Sequence, residues 1–319
     1  MTYINSIGAI APQNTIENGH YVCVEPFYRE FINPVQLRRM SRILKMGLGA
    51  SSICIRGLPE SEIDAIIVGT GLACIIDLEN VLFSVLNGNE QGISPISFVN
   101  SSHNTVAAQI AMMHKITGYN NTYCHRGASF ESALRDALLL LYECEAKCVL
   151  VGGIDEYSQH YPSICSEDYK MNNAMLGEGA VFFILENKRR DESFAQLVGV
   201  QCFLTKNDEI NYQFIMNEIS TFLQKHSIKA ADIDIFVSGK NSNCVTNSIY
   251  EELEFYFFQK AETIFFKHLC GEYMTATAFA LDIAARKMKE HKNKIALIYN
   301  HYNHTNHSII LLKNAFASQ

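Results

Sequence analysis

Six short apolar runs set the strongest limit on what this 319-residue chain can fold into. They are Asp64–Gly71, Lys147–Gly153, Ala180–Glu186, Asp234–Gly239, Lys294–Tyr299 and Ser308–Lys313. None shows the polar alternation of a half-exposed strand, and most close on glycine or a charge. Such runs suit strands covered on both faces. Between them lie helical patterns. From Ser129 to Glu143, the residues Phe130, Ala133, Leu134, Ala137, Leu138 and Leu141 recur at spacings of three and four, and Leu139 and Leu140 widen that face. This predicts a helix buried nearly all round. A second helix is expected from Met274 to His291, with Arg286, Lys287 and Lys289 suiting its C-terminal end. Buried strands alternating with amphipathic helices predict an α/β layered fold around a covered sheet.

The charged stretch Glu186–Glu192 is the sharpest interruption and divides the chain into residues 1–190 and 191–319. Each part reads as a glycine-containing loop, an apolar helix and two closing strands, so the halves are expected to be related. Hydrophobic residues make up 48% of the chain and charged residues 18%, which excludes wholesale disorder. A net charge of −7 argues against a nucleic-acid backbone as main partner. The ten cysteines (Cys23, Cys54, Cys74, Cys124, Cys144, Cys148, Cys165, Cys202, Cys244 and Cys270) form no CxxC pair. Several sit inside apolar runs as small hydrophobes. Met1–Ile10 lacks the basic start of a secretory signal, and no apolar run approaches the roughly 20 residues of a membrane span. A reducing cytoplasm is the expected location.

Several motifs then fall in a recognisable order. Gly69-Thr-Gly71 precedes Ser94-Pro95 and Asn104–Ile110; Val149-Leu-Val-Gly-Gly153-Ile-Asp-Glu156 follows the long helix; Leu176-Gly-Glu-Gly-Ala180 leads into an apolar strand. This arrangement resembles the β-ketoacyl synthases of fatty-acid and polyketide assembly, most strongly from Ile32 to Glu186. The resemblance implies a thiolase-like fold, two pseudo-symmetric halves in α-β-α-β-α layers, with the second half shortened. It implies a cysteine nucleophile at a helix N-terminus, where the dipole favours the thiolate. Two histidines of the second half would stabilise the developing enolate.

This chain departs from the family at each of those places. Counting back from Gly152-Gly153, the nucleophile position falls on Gly127. After the strand Asp234–Val237 the first histidine is replaced by Ser238. In Lys267-His-Leu-Cys-Gly271-Glu272 the family's lysine is retained as Lys267, while Glu272 stands in place of the second histidine. The gating loop is also different, reading Asn300–His307. Three replacements in a retained scaffold resemble the chain-length-factor class, ketosynthase-like subunits that pair with a competent synthase. The stretch Tyr123–Ala133 is similar to short ketosynthase-like proteins of aryl-polyene or resorcinol clusters. No cofactor is implied. The expected partner is an active synthase, or a second copy of the chain, with an acyl carrier protein as a further candidate.

Other readings compete. Cys124 could be a relocated nucleophile beside His125 and Arg126, although strand geometry points neighbouring side chains to opposite faces. Ser129 could be a nucleophile, but more simply caps the helix that follows. An acyltransferase or thioesterase rebuilt around Cys124, Ser129 and Glu272 would use these groups. His301, His304 and His307 invite a metal, yet the intervening asparagines predict a polar loop and no fourth ligand is supplied. His103 reads as a loop or interface residue. Arg38, Arg39, Arg42 and Lys45 form a basic helical face, either plain solvated surface or a dock for an acidic carrier protein.

Overall fold

The computed structural model of the chain describes residues 1–88, 92–163, 174–205, 211–241, 247–290, 294–303 and 305–316. In the first half the strands are β1 (Thr2–Ile10), β2 (Ala65–Gly69), β3 (Tyr119–Tyr123), β4 (Cys148–Asp155) and β5 (Gly179–Glu186). In the second they are β6 (Ala195–Leu204), β7 (Ile235–Ser238), β8 (Glu262–Phe265), β9 (Ile295–Tyr302) and β10 (Asn306–Asn314). They hydrogen-bond in the order β8-β7-β9-β10-β6-β1-β5-β4-β2-β3.

That order is its own mirror. β1 and β5 are antiparallel, as are β5 and β4, whereas β4–β2 and β2–β3 are parallel. The second half repeats the pattern with β6, β10, β9, β7 and β8. The halves join where Thr2–Ile4 of β1 runs against Ala195–Leu197 of β6. Parallel neighbours require crossover connections, and helices supply them. The main helices are α1 (Arg42–Ile55), α2 (Ile75–Leu86), α3 (Thr105–His114), α4 (Ser129–Tyr142), α5 (Tyr212–Lys225), α6 (Ser248–Tyr256) and α7 (Ala276–Glu290).

Three apolar cores fill the spaces between layers. One lies under α1 and α3, a second encloses α4 and α7 between the two halves, and a third lies under α5 and α6. The result is α-β-α-β-α, the thiolase-like arrangement. All eight residues of β4 and of β5 are buried, which explains their unbroken apolar sequence. The central layer is tight: a Cβ on Gly153 of β4 would lie 2.8 Å from Ala278 and 3.1 Å from Phe130. Glycine there, and the alanines of α7, let helices from both halves seat on one strand.

One helix expectation needs correcting. The helix α4 is not buried all round: Leu139 is 57% and Tyr142 82% exposed. Both share the helical stripe of Arg135, which faces outward. The apolar face is carried by Phe130, Ala133, Leu134, Ala137, Leu140 and Leu141 alone.

Candidate functional site

The turn leading into α4 carries the position where the ketosynthase resemblance expects a nucleophile. A short 3-10 turn at Arg126–Ala128 holds Gly127, which is buried. The space a side chain would need is already occupied. A Cβ on Gly127 would lie 2.2 Å from Cγ and 2.3 Å from Cδ2 of Tyr302. Tyr302 ends β9 and is itself only 7% exposed. At the position where the resemblance expects a thiol, an aromatic ring from the second half packs against bare backbone. Tyr302 was invisible as a site residue in the sequence, because only the β9–β10 hairpin brings it to α4.

The other two replaced positions are built differently. Ser238, at the end of β7, is fully buried; its hydroxyl donates to Glu254 Oε1 at 3.4 Å and accepts from the Lys240 amide at 3.4 Å. Lys267 pairs with Glu272, Nζ to Oε2 at 2.7 Å, both almost wholly buried. Asn241 adds a hydrogen bond to the same oxygen at 3.2 Å. The positive charge of Lys267 is thus committed to the carboxylate that stands where a histidine was expected. A buried pair of this kind is sensitive to loss of either partner. Glu272 also fixes backbone: its amide donates to Met175 and its carbonyl accepts from Gly177.

The rebuilt-nucleophile reading finds little chemistry to use. Cys124 is half-buried, its Sγ 3.3 Å from the Gly71 carbonyl. Burial and the nearby Asp155 push its thiol upward, against the pull of Arg126. The Ser129 hydroxyl donates to the Arg126 carbonyl at 2.6 Å and accepts from the His125 amide at 2.8 Å. It braces the turn before α4 rather than capping the helix: the N-cap residue is Ala128, with no side-chain cap. The His125 ring faces Ser132, Nδ1 to Oγ at 3.3 Å, rather than Cys124 or Ser129.

Asp155, at the end of β4, organises this region from beneath. One oxygen accepts from the Gly71 amide at 2.7 Å and from the Thr70 hydroxyl. The other accepts from the amide and hydroxyl of Thr275, just before α7. It ties the loops of both halves together, and burial pushes its carboxyl up to about 6 despite these donors. The Gly-Gly-Ile-Asp-Glu motif was the only signal for it in the sequence.

The histidine-rich segment is not a polar loop. Strands β9 and β10 run through it, and His301 and His307 are buried cross-strand partners. His307 is stacked on Phe203 and held by Tyr299 at 2.8 Å and Thr205 at 3.2 Å. Hydrophobic ladder neighbours carried the strands further than the asparagines suggested. His304 lies outside the described residues, as do Cys165 and Cys244. Among the described residues no group of three or more His, Cys, Asp or Glu is placed to hold a metal ion. His103 lies exposed in the turn before α3.

The basic face also breaks apart. Arg38 and Arg39 follow a short helix at Pro34–Leu37, whereas Arg42 opens α1 after Ser41. Arg42 is drawn inward into a bidentate pair with buried Glu178 and a second pair with Glu25. Burial alone would raise the Glu178 carboxyl, but Arg42 outweighs it and holds the group low. Arg42 therefore pins α1 to the strand start at β5. Arg38 and Arg39 remain exposed and Lys45 is half-buried.

A cavity of about 230 Å³ opens beside Gly127 and Tyr302. Glu131 and Arg135 of α4, Cys202 of β6 and Ser308 of β10 contribute walls. Ser238, Lys267 and Glu272 are not among the residues that line it.

With this geometry in view, comparison with known proteins places the fold. Residues 78–194 match the family model "Beta-ketoacyl synthase, N-terminal domain". No curated protein matches the chain by sequence. Among solved structures, the ishigamide ketosynthase/chain length factor superposes with a TM-score of 0.84 at 17% identity, covering 98% of this chain and 99% of that one. A ketosynthase in complex with its chain length factor from Xenorhabdus doucetiae gives 0.80 at 13% identity, covering 98% of each chain. A β-ketoacyl synthase from Burkholderia phymatum gives 0.79 at 13%, covering 98% of this chain and 99% of that one. Residues 78–194 are thus similar to the β-ketoacyl synthase N-terminal domain, and the chain has the thiolase-like fold of the ketosynthases.

Proposed function

We propose that this chain is a non-condensing subunit of chain-length-factor type, which pairs with an active β-ketoacyl synthase in fatty-acid, polyketide or aryl-polyene-type assembly. The observation that carries the reading is the Gly127–Tyr302 contact. At the position where the fold's condensing members would hold the acyl chain, there is no nucleophile, and a buried ring fills the space one would need. The Lys267–Glu272 pair supports it, because it neutralises the retained lysine.

The outer surface supports a partner. Among the described residues β3 ends the strand series and pairs with β2 alone, leaving an open edge of the kind that recruits another chain. The segment between β2 and β3 exposes Leu82 and Leu86 of α2, Phe98 and Val99 of a short helix at Pro95–Asn100, and Met112 of α3, apolar side chains available to a partner. Two of the solved structures above are ketosynthase/chain length factor pairs, which suits a heterodimer across this face. Arg38 and Arg39 are exposed to meet an acidic carrier protein, whereas Arg42 is spent internally. No helix among the described residues is long and apolar enough to cross a membrane, in keeping with work beside a soluble synthase in the cytoplasm.

Co-expression with an active β-ketoacyl synthase tests the proposal. Co-purification in equal amounts, disrupted by Phe98→Asp with the fold intact by circular dichroism, is expected. A stable homodimer that ignores the synthase, with products unchanged when this chain is omitted, would replace the proposal with a self-paired module. A covalent acyl adduct on Cys124 or Ser129 after incubation with acyl-thioesters would replace it with a rebuilt acyltransferase.

A further inference from the structure

The strand order conceals an open edge in the middle of the series. β1 meets β6 only where Thr2–Ile4 runs against Ala195–Leu197, and from this antiparallel meeting the rest of each strand extends in the opposite direction. From Gly199 to Leu204, β6 pairs with β10 on one side and with no strand on the other among the described residues. No backbone hydrogen bond from a loop or helix reaches these residues either. The open stretch is about 20 Å long at roughly 3.4 Å per residue. Its unpaired N–H and C=O groups are a template for another strand.

Helix α4 lies alongside this edge. A groove of about 490 Å³ separates Leu138, Leu139 and Tyr142 of α4 from Leu197, Val198 and Val200 of β6. Arg135 lines this groove and also the smaller cavity beside Gly127, where Cys202 and Leu204 continue the β6 wall. The two spaces form one slot between a helix and an unpaired strand. Along it α4 and β6 run in opposite directions, since the Tyr142 end of α4 meets Val198 and the Gly127–Ala128 end meets Leu204. Leu139 and Tyr142 are exposed, apolar surface that packing within the chain leaves open. Arg135 is exposed too, and no carboxylate pairs with it among the described residues. Glu131, one turn earlier, is turned inward to Ser308.

We propose that this slot takes an extended peptide segment of a partner protein, which adds to β6 as an antiparallel strand and places an acidic residue opposite Arg135. Main-chain hydrogen bonds to the edge would supply affinity, and alternate side chains specificity. Geometry fixes the pattern. Side chains on one face of a strand recur about every 6.8 Å, and helix positions three or four apart stand about 5–6 Å apart. A segment antiparallel to β6 follows α4 in the helix's own direction. The acidic residue at Arg135 is therefore followed two residues later by an apolar one over Leu139, and four residues later by another over Tyr142. An alkyl chain would leave the edge N–H and C=O groups unpaired. A basic segment would meet Arg135 with like charge. β6 lies mid-series and β3 at its end, so the inference does not rest on the proposed heterodimer.

Fluorescence anisotropy of the full chain with fluorescein-labelled Thr-Glu-Thr-Val-Thr-Val-amide tests it. The expected result is saturable binding, at least about tenfold tighter than to the same peptide with Lys in place of Glu. Two further versions are N-methylated at alternate amides, one in each register. One should lose binding at least about tenfold and the other retain it, because only one edge of the added strand faces β6. Arg135→Glu should reverse the charge preference, and Leu139→Asp should weaken binding about tenfold. Both positions are exposed, so the melting temperature should not change. Hydrogen exchange should slow across Gly199–Leu204 when the peptide is bound. Absence of saturable binding at millimolar concentration overturns the proposal. So does equal binding of the Glu and Lys peptides, an equal response to both N-methylated versions, or unchanged exchange along β6.

Discussion

Placing a thiol at Gly127, where the ketosynthase resemblance expects the nucleophile, is the sharpest test of how this site is filled. In Gly127→Cys the new Cβ would lie 2.2–2.4 Å from Cγ, Cδ2 and Cβ of Tyr302. Non-bonded carbons settle at about 3.5–4.0 Å, so the ring must withdraw by roughly 1.3 Å or the turn must open. Tyr302 is buried, and overpacking of this kind costs about 1–3 kcal/mol. Tyr302→Ala alone should cost about 3–5 kcal/mol, as truncation of a buried large aromatic does. The double variant removes the clash along with the ring. Its cost should fall short of the sum of the single costs by about 1–3 kcal/mol, the signature of direct contact. Urea unfolding of the four proteins measures the cycle. Alkylation followed by peptide mass mapping reads the thiol introduced at position 127, which should react only once the ring is gone. Strictly additive costs, or a fully reactive thiol in Gly127→Cys with stability unchanged, would refute the reasoning that Tyr302 occupies the nucleophile's space.

Three further outcomes follow from buried charge. Lys267→Met should destabilise the chain by about 3–5 kcal/mol because it strands Glu272, while the paired change Lys267→Met with Glu272→Leu should recover most of that loss in chemical denaturation. Arg42→Ala should cost about 2–4 kcal/mol by uncovering Glu178, whereas Arg38→Ala and Arg39→Ala should stay within about 0.5 kcal/mol; thermal unfolding separates them. Burial raises the Glu156 carboxyl from 4.5 to about 8. Its contribution is fully present below about pH 4.5 and is lost as pH rises through about 8, at most about 5 kcal/mol in all. Glu156→Gln should flatten stability across that window and exceed the native chain above it. A parallel decline in both proteins would assign the dependence to other groups.

Much of the architecture could be read along the chain because burial on both faces leaves a local trace. The unbroken apolar runs of β2, β4, β5, β7, β9 and β10 and the three-and-four spacing of α4 needed no tertiary information. β1, β3, β6 and β8 went unread: β3, with its Tyr-Asn-Asn-Thr-Tyr sequence, is an edge strand with little apolar signal. The same limit explains Leu139, whose sequence neighbours are buried while its helical stripe is not.

For the site, the sequence by itself determined which chemical groups are present: a residue without a side chain at 127, a hydroxyl at 238, a carboxylate at 272 and a retained lysine at 267. Those identities sufficed to question condensation. What the groups do was decided by contacts between residues far apart in the chain. Tyr302 covers Gly127 from 175 positions away; Asp155 gathers Gly71 and Thr275; Arg42 turns from the surface to Glu178. Side-chain periodicity encodes which face is buried, but not which distant partner will fill it. That depends on closing one half of the fold over the other.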